Sequence, residues 1–362
     1  MNSSINNIIK PIIEFGYMRS GTTLLFNLLK NHPEIYTGVA EPKLLVSMHS
    51  IKKVYSDLTQ EEILKNYIAY IANVVRFSGS LKQLHKPLIE NEEFCNEDLE
   101  QVLPLALNLG YFQVINLVYD YLTRKSGKSF WLFKSQIVFF DEIHSSMPDA
   151  VFIEIVRDSR DVLASKKKDK ESVWHSDKYS KEKRQFKNFE KTYDPLWDSL
   201  SWKSEVIAGI HIKDLYPTII KSIYYENLAR DPKTCTQKLC QYLNIEFHDN
   251  QLEVPRRNSS LWQERPGGIG TESVNKWKNI LIPEETTIIQ FITKRELNHH
   301  HYNISPTKPN IIKLFFLLLR SVGEFFQRLV KRILMGGIPF FQNVILIYWK
   351  KFKNNLLRYY IE

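Results

Sequence analysis

Cysteine is scarce in these 362 residues, with Cys95, Cys235 and Cys240 the full complement. Three is an odd number and no spacing among them suits a metal or a redox pair, which argues against a disulfide scaffold or zinc centre and for a reducing compartment. The stretch Met1 to Lys10 lacks the basic start and apolar core of a signal peptide, so a cytoplasmic location without an amino-terminal anchor is expected. Long apolar runs are missing as well. In the carboxyl-terminal tail, Leu314 to Leu319 and Val344 to Trp349 are stopped by Arg320 and Lys350, short of the roughly 20 residues that span a bilayer. Nucleic-acid recognition motifs are also missing, and a general DNA-binding role is not expected. His299-His300-His301 invites a metal, but three consecutive residues cannot all face one ion on a regular element. A solvated polar run with no metal is the better reading.

What is present points to an α/β protein. Hydrophobic residues make up 43% of the chain, enough for one large core, and apolar strand-like runs alternate with helical patterns. Between residues 44 and 130 the pattern is helical, with one amphipathic run beginning at Glu61-Glu62 and another reading from Leu99 through Leu122. The expected fold is a mainly parallel sheet flanked by helices, over 1–305, followed by a basic helical tail over 306–362. That tail holds ten Lys/Arg against Glu324 and Glu362, a net of +8 out of +9 for the whole chain. The body is therefore nearly neutral, and the basic balance says little about its active site. Within the tail, Leu319, Val322, Phe325, Phe326, Leu329, Val330 and Ile333 recur at helical spacing opposite Arg320, Gln327, Arg328 and Lys331. Two readings stay open: a helix lying on a membrane surface, or a hairpin packed on the body or on a second subunit as a homodimer.

The most informative stretch, Gly16-Tyr17-Met18-Arg19-Ser20-Gly21-Thr22-Thr23, has the glycine spacing of a phosphate-binding P-loop. Its flanks support the match, since Ile12-Ile13-Glu14-Phe15 reads as a strand and Leu24, Leu25, Leu28 and Leu29 follow at helical spacing. Such a loop aims backbone N–H groups and a helix N-terminus at one anion. The lysine that a nucleoside-triphosphate-cleaving loop needs is lacking, because Thr22 stands in its place and Arg19 brings the charge instead. A nucleotide kinase is one alternative, and a non-catalytic, membrane-peripheral nucleotide-binding module is another.

With Asn31-His32-Pro33-Glu34 and Glu41-Pro42 downstream, this loop resembles the 5′-phosphosulfate loop of sulfotransferases that use 3′-phosphoadenosine 5′-phosphosulfate (PAPS). The tyrosylprotein and bacterial branch, whose loop carries arginine, is the most similar. The run Ala150 to Ser165 is similar to that family's 3′-phosphate signature, which maps its arginine to Arg157 and its serine to Ser165. A guanidinium gives a planar clamp on phosphate oxygens and a hydroxyl adds a donor. The other reading of Arg157-Asp158-Ser159-Arg160-Asp161 is a charged turn whose members pair with each other. Tyr224-Tyr225-Glu226-Asn227-Leu228 resembles the segment whose tyrosine, here Tyr225, lies near the adenine in relatives; a core tyrosine beside a helix start fits it equally. Arg265-Pro266-Gly267-Gly268-Ile269-Gly270 ahead of Lys276-Trp277-Lys278 resembles the closing loop over the donor, with Arg265 and Lys278 the expected phosphate contacts and Lys276 a third candidate.

The resemblance implies sulfuryl transfer from PAPS to a hydroxyl by in-line displacement, without a metal. Donor-binding residues carried over from it are Arg19, Ser20, Gly21, Thr22, Thr23, Arg157, Ser165, Tyr225, Arg265 and Lys278. The step needs a base for the acceptor proton and positive charge for the transferring oxygens. Related enzymes place a catalytic glutamate where Glu41 stands, and Arg19 and Lys134 supply charge, although the usual Lys-Thr-Pro reads Lys134-Ser135-Gln136 here. Ser259 or Ser260 is a further hydroxyl near the leaving group, or only a turn. The basic, aromatic stretch from Lys166 to Lys191 reads as a solvated face or as a lid for an anionic acceptor. A glycan, a lipid, a tyrosine or a small metabolite all present a suitable oxygen.

Overall fold

The computed structural model describes residues 9–37, 51–52, 54–73, 94–174, 193–254, 256–258, 263–265, 268–327 and 330. Strand β1 (Lys10–Phe15) leads through the glycine loop into α1 (Thr22–Lys30), and the two-residue β2 (Ile35–Tyr36) follows. Helix α1 forms because Leu25, Phe26, Leu28 and Leu29 share one buried face, and Lys30 in its last turn suits the negative end of the helix. Helices α2 (Glu61–Asn73), α3 (Asn96–Ala106) and α4 (Tyr111–Lys125) pack together before β3 (Phe130–Lys134). The run from Leu99 to Leu122 is thus two helices rather than one. Asn108 takes a left-handed backbone (φ 65°) and Gly110 caps α4, a break the apolar spacing conceals.

The second half adds α5 (Phe140–Ser146), β4 (Val151–Val156), α6 (Ser159–Trp174) and α7 (Pro195–Leu215). Strand β5 (Ile220–Tyr224) runs directly into α8 (Tyr225–Arg230) and α9 (Pro232–Leu243). A short antiparallel pair, β6 (Arg256–Asn258) and β7 (Gln263–Arg265), precedes α10 (Pro283–His299), and a final helix, α11, covers 311–327.

All five strands of the main sheet are parallel, in the order β2-β3-β1-β4-β5. The α/β expectation holds. Because the chain moves first to one side of β1 and then to the other, a crevice opens at the carboxyl end of β1, between its neighbours β3 and β4. Glu14 pairs in register with Lys134, which brings the end of β3 beside the glycine loop. Ile13, Phe15 and Phe152 face the cluster built with α2 to α5, while Ile12, Ile153 and Ile155 face the one containing α1 and α9. The strands read as nearly continuous apolar runs because both faces are covered.

Buried carboxylates interrupt those runs at Glu14 on β1, 1% exposed, and at Glu154 on β4. Glu154 on β4 is 5% exposed and accepts a hydrogen bond from Ser222 Oγ (3.2 Å) under α7, where a Cβ on Gly209 would lie 1.9 Å from its Oε1. Only glycine leaves room for the carboxyl there. Burial pushes this carboxyl up to about 7, against the pull of Ser222 and Lys213. The folded state therefore holds the proton more tightly than the unfolded chain, and stability falls as pH rises from the unfolded value near 4.5 towards 7. A shift of that size corresponds to about 3 kcal/mol. Glu154→Gln is expected to flatten this part of the stability profile, measured by chemical denaturation at several pH values; an unchanged slope would exclude Glu154 as its source.

Candidate active site

The glycine loop is built by close approach. A Cβ on Gly16 would sit 2.6 Å from Ile155 Cγ2, and one on Gly21, whose φ is +103°, would sit 2.5 Å from the Tyr225 ring. Arg19 also takes a left-handed backbone, φ 71°, which costs a non-glycine residue and is held by the surrounding contacts. Ser20 N–H donates to the Tyr17 carbonyl (3.0 Å), closing the turn, and Ser20 itself is buried. Helix α1 then starts with Thr22 and Thr23. Its first turn carries no acidic side chain and no side-chain cap, so the free N–H groups and the positive end of the helix remain for an anion.

Arg157, at the carboxyl end of β4, spans this loop and the segment that follows β7. Its Nη1 donates to the Arg19 carbonyl (2.9 Å) and its Nη2 to the Ser273 carbonyl (2.6 Å). The guanidinium lies 4.3 Å over the ring of Tyr225, and its Nε is buried without a hydrogen-bond partner. Arg19 Nε in turn donates to Ser165 Oγ (3.1 Å) on α6. Burial lowers the Arg19 pKa, and the nearby Arg157 adds to that, while Asp169 opposes it. Among the described residues, every hydrogen bond that Arg19 and Arg157 donate ends on a neutral oxygen. Two guanidinium groups held side by side on neutral acceptors form a site for an anion.

The charged-turn reading is also right, for different residues. Arg160 and Asp158 make a buried pair (Nη2 to Oδ2, 2.7 Å), and Arg160 stacks 4.4 Å over Trp277. Asp161 accepts the backbone N–H groups of Asn275 (2.7 Å) and Trp277 (2.9 Å), and burial raises its carboxyl to about 6. Sequence spacing did not single out Asp161, because its role is set by a segment more than a hundred residues away. The acid in the first turn of α6 was the available signal.

The structure thus brings together Arg19, Ser20, Gly21, Thr22, Thr23, Arg157, Ser165 and Tyr225 around one loop. Lys134 stands at the end of β3, its Nζ 4.7 Å over the ring of Phe26 on α1. Lys278 is placed apart: it lines a polar cavity of about 500 Å³ with Arg230, Tyr302 and His300, on whose wall none of Arg19, Arg157 and Ser165 appears. His300 corrects the expectation of a solvated histidine run, because it is 8% exposed, contacts the Tyr224 hydroxyl through Nδ1 (3.3 Å), and is lowered to about 4, chiefly by burial. No group of His, Cys, Asp and Glu among the described residues could hold a metal. Glu41, Ser259, Ser260 and the Arg265 side chain lie outside the described residues, although the Arg265 backbone pairs with Arg256.

Comparison with known proteins bears on the fold and the family. The sulfotransferase domain of the Synechococcus PCC 7002 olefin synthase superposes with a TM-score of 0.50 at 17% identity, covering 83% of this chain and 98% of that one. The sulfotransferase domain from the curacin biosynthetic pathway gives the same score and identity over 83% of this chain and 100% of its own. At this identity the two show a shared fold. A search of curated protein sequences gives no match. The family model described as "Sulfotransferase family" matches residues 11–249, from the first strand of the sheet to past α9 and across both arginines, and the chain belongs to that family.

Proposed function

We propose that this sulfotransferase takes its sulfuryl group from PAPS and transfers it in line to a hydroxyl. The observation that carries the reading is the pair of a buried Arg157 and a half-buried Arg19 at the glycine loop, whose hydrogen bonds end on neutral acceptors. A donor with phosphate at both ends of its ribose suits that arrangement. The N–H groups of the loop and of α1, with Ser20, Thr22 and Thr23, would hold the 5′ side, while Arg157 and Ser165 would hold the 3′-phosphate. Tyr225 supports Arg157 from below and offers a ring edge towards the base. Asp161 fixes the segment at 275–277, and Arg157 reaches the same segment at Ser273, so binding at the arginines couples to closure over the donor. PAPS supplies a sulfuryl group on a phosphate leaving group, and the chain's part is to orient it and to take up the acceptor proton. Glu41 is the proposed base, and Lys134 at the mouth of the crevice the proposed source of charge for the bridging oxygen. A kinase reading is set aside by the family and by the lack of a lysine at Thr22.

The nucleotide assignment is tested by calorimetry with 3′-phosphoadenosine 5′-phosphate, the product, against ADP. Arg157→Ala should cost the 3′-phosphorylated product about tenfold to a hundredfold more affinity than it costs ADP, the worth of one or two charge-assisted hydrogen bonds, with any loss common to both ligands coming from the contact to the Arg19 carbonyl. Equal losses for both ligands would remove the 3′-phosphate role.

Glu41→Gln should lower turnover by about 10²–10⁴, the usual contribution of a positioned base, with product affinity within about twofold of wild type. Turnover near wild type would exclude it as the base. Lys134→Ala should lower kcat by about 10²–10³ with little effect on product binding, and a loss below about tenfold would put its charge elsewhere. The acceptor class, whether glycan, lipid, tyrosine or small metabolite, is read by mass spectrometry for a sulfated product in cells with and without the gene.

A further inference from the structure

Helix α11 docks the wrong way round for a helix of a water-soluble body. Its inward stripe is Leu314, Leu317, Ser321 and Glu324, and the contacts made there are largely polar. Ser321, fully buried, donates to Asp194 Oδ2 (2.8 Å) at the start of α7, and its carbonyl accepts from Trp197 Nε1 (2.7 Å). Glu324 faces Lys170 of α6 at 3.8 Å, and Phe325 lies against Trp197 with ring centroids 5.0 Å apart. The approach is also fixed, because Asn310 N–H donates to Glu284 Oε1 (2.8 Å) and Ser305 is bonded on both sides to Gln290. The opposite stripe is apolar and open: Ile312 is 69% exposed, Phe316 63%, Leu319 51% and Phe326 57%. A hundred degrees per residue puts these four, with Phe315, on one side of the helix.

A fixed helix that gives its serine and glutamate to the protein and its phenylalanines to the outside is oriented for an apolar medium. The charge beside it identifies which one. Lys313 and Arg320 are exposed on the flank between the open stripe and the body, where their stems can lie along an interface with the charges in the headgroup layer. The chain from 306 onward has a net charge of +8, and its sequence includes Tyr348 and Trp349. No helix among the described residues is long and apolar enough to cross a membrane. We propose that the outer face of α11 is a docking surface for an anionic lipid bilayer, on which the helix lies in the plane of the headgroups, burying the Phe316 and Leu319 stripe. The site is held at the membrane by α11 through α6 and α7, which contact it; α6 also carries Ser165, and Trp202 Nε1 of α7 donates to the Arg157 carbonyl (3.2 Å). This inference is independent of the transfer reaction, and its test does not read sulfuryl transfer.

The full chain is mixed with phosphatidylcholine vesicles, with and without phosphatidylglycerol, and separated by flotation. Wild type should float with the anionic vesicles, less with neutral ones, and less again as salt screens the charge. The double variant Phe316→Asp/Leu319→Asp should float at least about tenfold less with its thermal melt unchanged, since both side chains are exposed. The proposal is overturned if wild type stays unbound with either vesicle, or if the double variant floats as well as wild type. It is equally overturned if the full chain fails to float while a chain ending at residue 330 does, because the face is then covered by the chain's own tail. A wild-type dimer in sedimentation velocity that the double variant dissolves, without vesicle binding, would assign the face to a second copy.

Discussion

Arg157 is the constraint on which the rest of the site depends. Removing a guanidinium from water is costly unless its N–H groups find acceptors, and here the acceptors are two backbone carbonyls from distant parts of the chain. One belongs to the glycine loop and the other to the segment after β7, so the placement of one side chain sets the relation between the two. Tyr225 holds the other side of the guanidinium, and Gly21 must be glycine because that same ring lies against it. Loop, arginine and ring form one unit. Its three parts arrive from β1, β4 and β5, and only the parallel order β2-β3-β1-β4-β5 brings them together.

The strand, loop and helix around Gly16 to Thr23 were legible in the sequence because their physics is local. A short apolar run, glycines at the points of close approach, and leucines at helical spacing each act within a few residues. Arg157 and Ser165 were singled out for another reason, the resemblance of Ala150 to Ser165 to a family signature that runs from the end of β4 into α6. The sequence could not show that Arg19 would donate to Ser165, which joins residues assigned to opposite ends of the same donor. That bond spans 146 positions, and no periodicity encodes it.

What stayed hidden is mostly buried polarity. Glu154 sits in a strand whose pattern is otherwise apolar, and the room for its carboxyl is made by Gly209 on a helix more than fifty residues later. His300 looked solvated beside His299 and His301, yet the end of α10 turns it inward against Tyr224. Asp161 looked like one more member of a charged turn, and its neighbours Asp158 and Arg160 did pair as such a turn suggests. Its own oxygens were claimed by backbone N–H groups that arrive from the far end of the chain. In each case residue type was informative and the partner was not.

The replacement of lysine by Thr22 can now be read through charge placement. A lysine there would put a mobile ammonium inside the loop, suited to the end of a triphosphate chain. Arginine at position 19 instead puts a planar group at the rim, where its Nε meets Ser165 and its backbone carbonyl holds Arg157. The positive charge thereby moves away from the loop's centre and becomes shared between two strand ends. A compact chain of phosphates would engage only one of those positions, whereas a ligand carrying anionic groups at two separated points would engage both. The body as a whole is nearly neutral, so the proposed preference for such a ligand rests on this local pair and not on a general basic field.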